Sequence, residues 1–303
     1  MKISEIRAFL AVADAGSVHG AAARLNLTQP AVSRLIQRLE AELGTPLLDR
    51  TSRPPTLTPA GRQAAAHGRR VLQALEDLSG SVADGAEPRG SFRLGVSLGL
   101  SQLVLNDPLD ALRRRFPTLA CHVSSAWSLD LLKEVESNGM DAAVVLSSDR
   151  SEPATTLPVK RVGTDRLMVV ASAASPLPPR AHLAELAPQG WVVHPEGCSY
   201  RSALKRSLAQ LGAPFHLAIE AFDQELQLSL VARGNGLGLV PGCLLRHSAY
   251  QSRLRVIEVP ELDYRLAVWI ARSRFIGSLA VVVDALEGAI QQMLAASDHS
   301  ELA

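Results

Sequence analysis

A proline two residues into an otherwise uninterrupted helical pattern constrains this chain more than any other feature. In LTQPAVSRLIQRLE, residues 27–40, Val32, Leu35, Ile36 and Leu39 recur at the three- and four-residue spacing of one buried stripe, which Leu43 continues. Thr28 is the natural N-cap. Pro30 then falls in the first turn, where its missing N–H costs little and its fixed φ helps start the helix. The stripe leaves Pro30, Arg34 and Gln37 on the opposite face, with Ser33 and Arg38 on its flanks. That face is short, polar and cationic.

Its neighbours say what such a face is for. Residues 3–15 place Ile6, Phe9, Leu10 and Ala13 on one helical side, and Gly16 with Ser17 ends that helix and caps a second, SVHGAAARL. A tight connection at Asn26 and Leu27 leads into the proline-started helix. Helix, short turn and helix with a polar outer face outline a helix-turn-helix, whose second helix enters a major groove. The following PLLDRTSRPPTLT sets Leu47, Leu48 and Leu57 around a charged, proline-rich tip. This predicts a β-wing with Arg50 and Arg53 as its phosphate or minor-groove contacts. Pro54 and Pro55 stiffen the tip and remove two donors from it.

At 303 residues the chain is long enough for two or three domains, and 47% hydrophobic with 20% charged residues is ordinary globular composition. A net charge of +1 argues against a wholly basic nucleic-acid coat. Any DNA contact must come from local excess, which Arg24, Arg34, Arg38, Arg50 and Arg53 supply against Glu40, Glu42 and Asp49. Cys121, Cys198 and Cys243 are three, widely spaced and without a CxxC. That suits a reducing compartment with no disulfide framework and no metal knuckle. Glu5, Arg7 and Asp14 interrupt any secretion-signal core, and no run approaches membrane-spanning length, so a cytoplasmic protein is expected.

Thr58 and Pro59 start a long pattern to about Val82, with Val71, Leu72, Leu75 and Leu78 as its stripe; such a helix needs a partner, so dimer pairing is expected. SGSVADGAEPRGS then has linker composition. Beyond it strands and helices alternate, from FRLGVSL through DAAVVL, RLMVVA, GLGLVP and RLAVWIA to a final helix, which predicts α/β layers with mainly parallel sheets.

Residues 5–61, IRAFLAVADAGSVHGAAARLNLTQPAVSRLIQRLEAELGTPLLDRTSRPPTLTPAG, closely resemble the winged helix-turn-helix of LysR-type transcriptional regulators. RLGVS, DAAVVL after LLKEVESNGM, and SLVARGNGLGLVPGCLL extend the similarity over the whole chain. The resemblance implies an all-α winged helix-turn-helix head at 1–58, a linker helix and hinge at 59–89, and an inducer-binding region at 90–303. That region would be α/β and built like periplasmic binding proteins, with one lobe of 90–161 plus 268–303 and another of 162–267. Two crossover strands, near 161–165 and 264–268, would join the lobes around an inducer cleft. It further implies a sequence-specific regulator bound to promoter or operator DNA, a homodimer through the linker helix and a homotetramer beyond it. Gln29, Pro30, Ser33, Arg34 and Gln37 would lie nearest the bases, since Arg pairs with guanine, Gln with adenine, and Pro30 can touch a thymine methyl.

The inducer site rests on helix starts. Ser97 to Ser101, with Gly99 between them, ends a strand and opens a helix; Ser128 opens another, and Cys198, Ser199 and Arg201 open a third. Free N–H groups at helix N-termini favour anions, so a carboxylate-bearing metabolite is expected, although plain N-caps would use the same serines. The resemblance adds Phe222 and Asp223 at the cleft rim. The family's peroxide sensors carry a reactive cysteine close to Cys198, which makes a thiol-based, redox-responsive regulator the alternative. Against it, Ser199 aligns with that position and the next helix supplies no second cysteine.

Other chemistries find little support. Gly234, Gly236 and Gly238 have a helix before and a strand after, the reverse of a dinucleotide fingerprint. His194 near Cys198 lacks an orienting acid, and a lone His is usually structural. HExxH and P-loop patterns are absent, so neither an enzyme nor a cofactor nor a metal is expected. A transport solute-binding protein would fit the α/β half but not the additional N-terminal 85 residues.

Overall fold

In the computed structural model, which describes residues 1–52, 54–81, 88–100 and 106–298, three helices form the head: α1 (Ile3–Ala15), α2 (Val18–Leu25) and α3 (Gln29–Leu43). Each terminus has the cap its sequence provides. Gly16 leaves α1 at φ 64°, Ser17 accepts from the Gly20 N–H to start α2, and Thr28 accepts from the Ala31 N–H to start α3. Phe9, Leu10, Ala21, Ala22, Val32, Ile36 and Leu39 bury together beneath the wing residues Leu47 and Leu48. The wing is β1 (Leu48–Asp49) paired antiparallel with β2 (Thr56–Leu57).

Thr58 caps α4 (Pro59–Ser81), accepting from the Gly61 N–H at 2.9 Å. Its Leu72 packs on the head, whereas Val71 and Leu78 stay exposed. Val82 lies outside the described residues. Arg69 pairs with Asp14 of α1 at 2.6 Å, and the next residue, Arg70, stacks its guanidinium 3.6 Å from the ring centre of Phe275 in the body. One turn of α4 therefore holds head and body together.

The body's strands and helices follow in order: β3 (Gly90–Ser97), α5 (Asp107–Arg115), β4 (Leu119–Ala126), α6 (Ser128–Glu136), β5 (Ala142–Ser148), β6 (Val159–Ser172), α7 (Leu183–Leu186), β7 (Trp191–Val193), α8 (Ser199–Gln210), β8 (Leu217–Glu220), α9 (Gln224–Ala232), β9 (Leu237–Pro241), α10 (Gly242–His247), β10 (Leu254–Ile257), β11 (Arg265–Arg272) and α11 (Ala280–Asp298). The sheet order is β4-β3-β5-β11-β6-β9-β7-β8, with β10 on β6. β3 runs parallel to β4 and β5, and β7 to β8 and β9. These triplets are the sheets of two lobes.

The 14-residue β6 joins them. It pairs with β11 up to Arg166, then with β9 from Leu167 and β10 from Val169. The Leu167 N–H donates to the Tyr264 carbonyl at 2.9 Å, so both crossings lie side by side. The β3–β4–β5 and β7 strands point their C-terminal ends, and the helices that follow, toward the groove between the lobes, where α/β sheets bind ligands.

One helical window, Gly277–Ala295, is long and apolar enough to compare with a membrane span, contrary to the expectation that no run approaches that length. Val282, Val283, Leu286, Ile290 and Leu294 of α11 are buried in the body's core, and its buried Glu287 is ion-paired with Lys160. That partition identifies a core helix of a folded body.

Candidate DNA face and effector cleft

On the head, burying Val32, Ile36 and Leu39 turns Gln29, Pro30, Arg34, Gln37 and Arg38 outward, with Ser33 half-buried beside them. The Gln29 amide meets His19 of α2 at 3.0 Å, a partner absent from the sequence expectation. Glu40 braces the wing: one carboxylate oxygen accepts the Leu47 and Leu48 N–H groups, and the other takes Arg50 at 2.8 Å. Arg50 is thus held in an exposed ion pair beside α3. Arg53 lies outside the described residues. At the tip, the Asp49 carboxylate accepts from the backbone and hydroxyl of Thr51, which lowers its pKa.

Between the lobes lies a cavity of about 200 Å³. Ser97, Gly99, Ser128 and Leu146 line it from one lobe, and His194, Cys198, Ser199 and Tyr200 from the other. Trp127 is the N-cap residue of α6 and Cys198 that of α8; neither makes a side-chain capping bond. Two helix N-termini thus meet the cavity without a side-chain capping bond, and their partial positive charge favours an anion there. The Ser128 hydroxyl accepts from the Leu146 N–H at 3.1 Å and donates to Ser97 Oγ at 3.2 Å. Its hydrogen thus committed, Ser128 leaves the Ser97 hydroxyl as the donor.

The lobes touch across the cavity. Trp127 sits edge-on to His194, their ring centres 6.4 Å apart. Gly99 must lack a side chain, because a Cβ there would overlap the Tyr200 hydroxyl and crowd Leu146. Tyr200 is buried, and burial pushes its phenol well above its usual pKa, so it faces Gly99 as a neutral group.

Of the residues expected at the effector site, Ser97, Gly99, Ser128, Cys198 and Ser199 come together; Ser101 lies outside the described residues. Three others stand apart from the cavity. Arg201 is buried and committed to Glu220, to Glu196 at 3.2 Å and to the His194 carbonyl at 3.1 Å. Asp223 spends its carboxylate capping α9 at the Leu226 N–H, 2.7 Å away, and Phe222 points largely into solvent. The sequence reading missed Trp127, Leu146 and Tyr200 and assigned His194 to structure. A tryptophan directly before a helix-opening serine was the available signal, because it cannot cap.

Cys198 is only 3% exposed, and desolvation raises its thiol pKa. Cys243 is buried and raised further, and half-buried Cys121 is raised by the same cause. A raised thiol is a poor nucleophile at neutral pH. Among the described residues, no group of His, Cys, Asp and Glu is placed to hold a metal ion.

A winged helix-turn-helix joined by a long helix to a two-lobed body with a cleft defines a DNA-binding regulator with an effector-binding domain. Residues 3–62 match the model of the bacterial regulatory helix-turn-helix proteins of the lysR family, and residues 85–281 match the LysR substrate binding domain. The chain belongs to the LysR family of transcriptional regulators. It is similar to the HTH-type transcriptional regulator CzcR of Bacillus anthracis, 30% identical over 86% of this chain and 87% of the relative. Among solved structures, a full-length OxyR cysteine variant from Pseudomonas aeruginosa shares the fold at TM-score 0.78 and 19% identity, covering 96% of this chain and 95% of that one. An OxyR mutant from Corynebacterium glutamicum follows at TM-score 0.61 and 20% identity, covering 99% and 96%.

Proposed function

We propose that this regulator reads operator DNA with the outer face of α3 and is switched by a small carboxylate-bearing effector held between its lobes. Gln29, Pro30, Ser33, Arg34 and Gln37 meet base edges in the major groove, and Arg50 and Arg53 meet the backbone or minor groove through the wing. The observation that carries the effector half is the cavity onto which the uncapped starts of α6 and α8 open from opposite lobes. Ser97, Gly99, Ser128, Cys198 and Ser199 form the anion's surroundings; Ser101 belongs to the same strand end. The working assembly is a homodimer paired along α4, or a homotetramer of two such dimers, acting in the cytoplasm.

Burial of Cys198 favours this reading over a thiol-based switch. The test is thermal unfolding of the full chain against a panel of small carboxylates. An effector at 100 times its Kd adds about 2.7 kcal/mol to stability. A saturable rise in Tm that Ser128→Ala abolishes is expected. Shifts that appear only with peroxide and vanish in Cys198→Ser would replace the carboxylate reading by the thiol one.

A further inference from the structure

We infer that His19 is a positioning residue for DNA readout: it holds the Gln29 amide in one orientation and thereby makes adenine the base that Gln29 selects. The inference rests on the reading of α3 as the helix that meets base edges.

The contact between the two side chains has a defined polarity. Gln29 Nε2 lies 3.0 Å from His19 Nδ1. An amide nitrogen only donates, so Nδ1 accepts and the ring is the neutral tautomer with its hydrogen on Nε2. The bond commits one amide hydrogen and leaves the other, together with Oε1, for DNA. Those two groups match adenine, which presents N7 as an acceptor and N6–H as a donor in the major groove. Without a tether the last torsion of a glutamine is broad and roughly two-fold, so the same amide can turn its N–H groups toward guanine N7 and O6 instead. With His19 in place, a turned amide would set Oε1 against the Nδ1 lone pair, acceptor facing acceptor.

Both partners stand on fixed backbone. His19 is the second residue of α2 and Gln29 the first of α3. Ser17 caps α2 through the Gly20 N–H at 3.1 Å, and Thr28 caps α3 through the Ala31 N–H at 3.4 Å. Ala21 and Ala22 bury in one cluster with Val32 and Ile36, small side chains that let the two helices approach. The bond itself is exposed, where water competes and a hydrogen bond contributes only modestly to stability. Its larger effect is on order in the free protein. Gln29 gives up rotamer freedom to His19 before DNA arrives, so less ordering remains to oppose binding.

The test is selection by the full chain from duplex DNA with a randomised core of about 30 base pairs, long enough for two half-sites one or two helical turns apart. Sequencing the bound fraction gives base preferences, and comparison with Gln29→Ala identifies the position that Gln29 reads. Adenine should be enriched there. His19→Ala should lower that enrichment by about fivefold or more while the positions altered by Arg34→Ala keep theirs. His19→Asn, whose Oδ1 can accept from Gln29 in place of Nδ1, should restore most of it. A histidine that only stabilised the head or touched a phosphate would instead weaken binding to all sequences alike when removed. Uniform weakening with the adenine preference intact, a base other than adenine at the Gln29 position, no recovery in His19→Asn, or preferences that Gln29→Ala leaves unchanged while Arg34→Ala alters them would each overturn the inference and leave α3 as the reading helix. Preferences unchanged in both Gln29→Ala and Arg34→Ala, or no enriched sequence at all, would remove the α3 reading and the role of His19 with it.

Discussion

Arg34 stands exposed in the middle of the α3 outer face, away from the stripe that holds the helix to the head. If it makes a bidentate contact to guanine, Arg34→Ala should weaken specific operator binding by about 1–3 kcal/mol, with a smaller change on random DNA. Titration of both DNAs at one fixed salt concentration checks this, and unchanged operator affinity removes Arg34 from the readout. Arg201 has a different role from the one its sequence position suggested. Its three acceptors make it a brace for lobe structure, so Arg201→Ala should cost about 1–3 kcal/mol, the partners Glu196 and Glu220 being open enough to rehydrate. A lower Tm is expected; loss of effector binding at unchanged Tm would return Arg201 to the cleft. His194 provides a pH test. Its folded pKa lies below the usual 6.5, so under acid conditions the unfolded chain binds more protons than the folded one. Its contribution is present above 6.5 and is lost as pH falls from 6.5 toward the lowered folded value. Denaturant unfolding across that window should show a shallower loss in His194→Phe, and parallel curves for the two proteins would show that the ring is not held neutral.

The elements differ in how much of them the sequence discloses. α3 was legible because its stripe, cap and proline are all local, and so were the caps at Ser17 and Thr58. The short α7 and α10 escaped because four and six residues give no period to read; Pro241 and Gly242, which look like a turn, instead open α10. The cavity was half legible. Serines at strand ends point to it, but which helix-opening side chains face the groove depends on packing between lobes. Arg201 and Ser199 are two residues apart in α8, and only one of them lines the cavity. Helix geometry separates such neighbours by about half a turn. For α4 the sequence predicts a partner, and the exposed Val71 is consistent with one. Val71→Asp should shift the assembly toward monomers in sedimentation, with the head still folded. An unchanged assembly would place the interface elsewhere.

At the scale of the whole molecule, two continuous strands carry the mechanics. β6 and β11 span the joint between lobes, and the loop after β11 presents Phe275 to Arg70 of α4, next to the Arg69–Asp14 pair that grips the head. A ligand that changes how Trp127 meets His194, or how Tyr200 meets Gly99, therefore acts on a body already tied to the DNA-binding head. It can bias the assembly only by the difference in its affinity for the two lobe arrangements. Operator affinity, measured by fluorescence anisotropy with and without the carboxylate that gives the largest thermal shift, tests this most directly. The account predicts a change of about fivefold or more in either direction, the scale of ordinary coupling energies, and its loss in Ser128→Ala. Saturated ligand with operator affinity unchanged would contradict it.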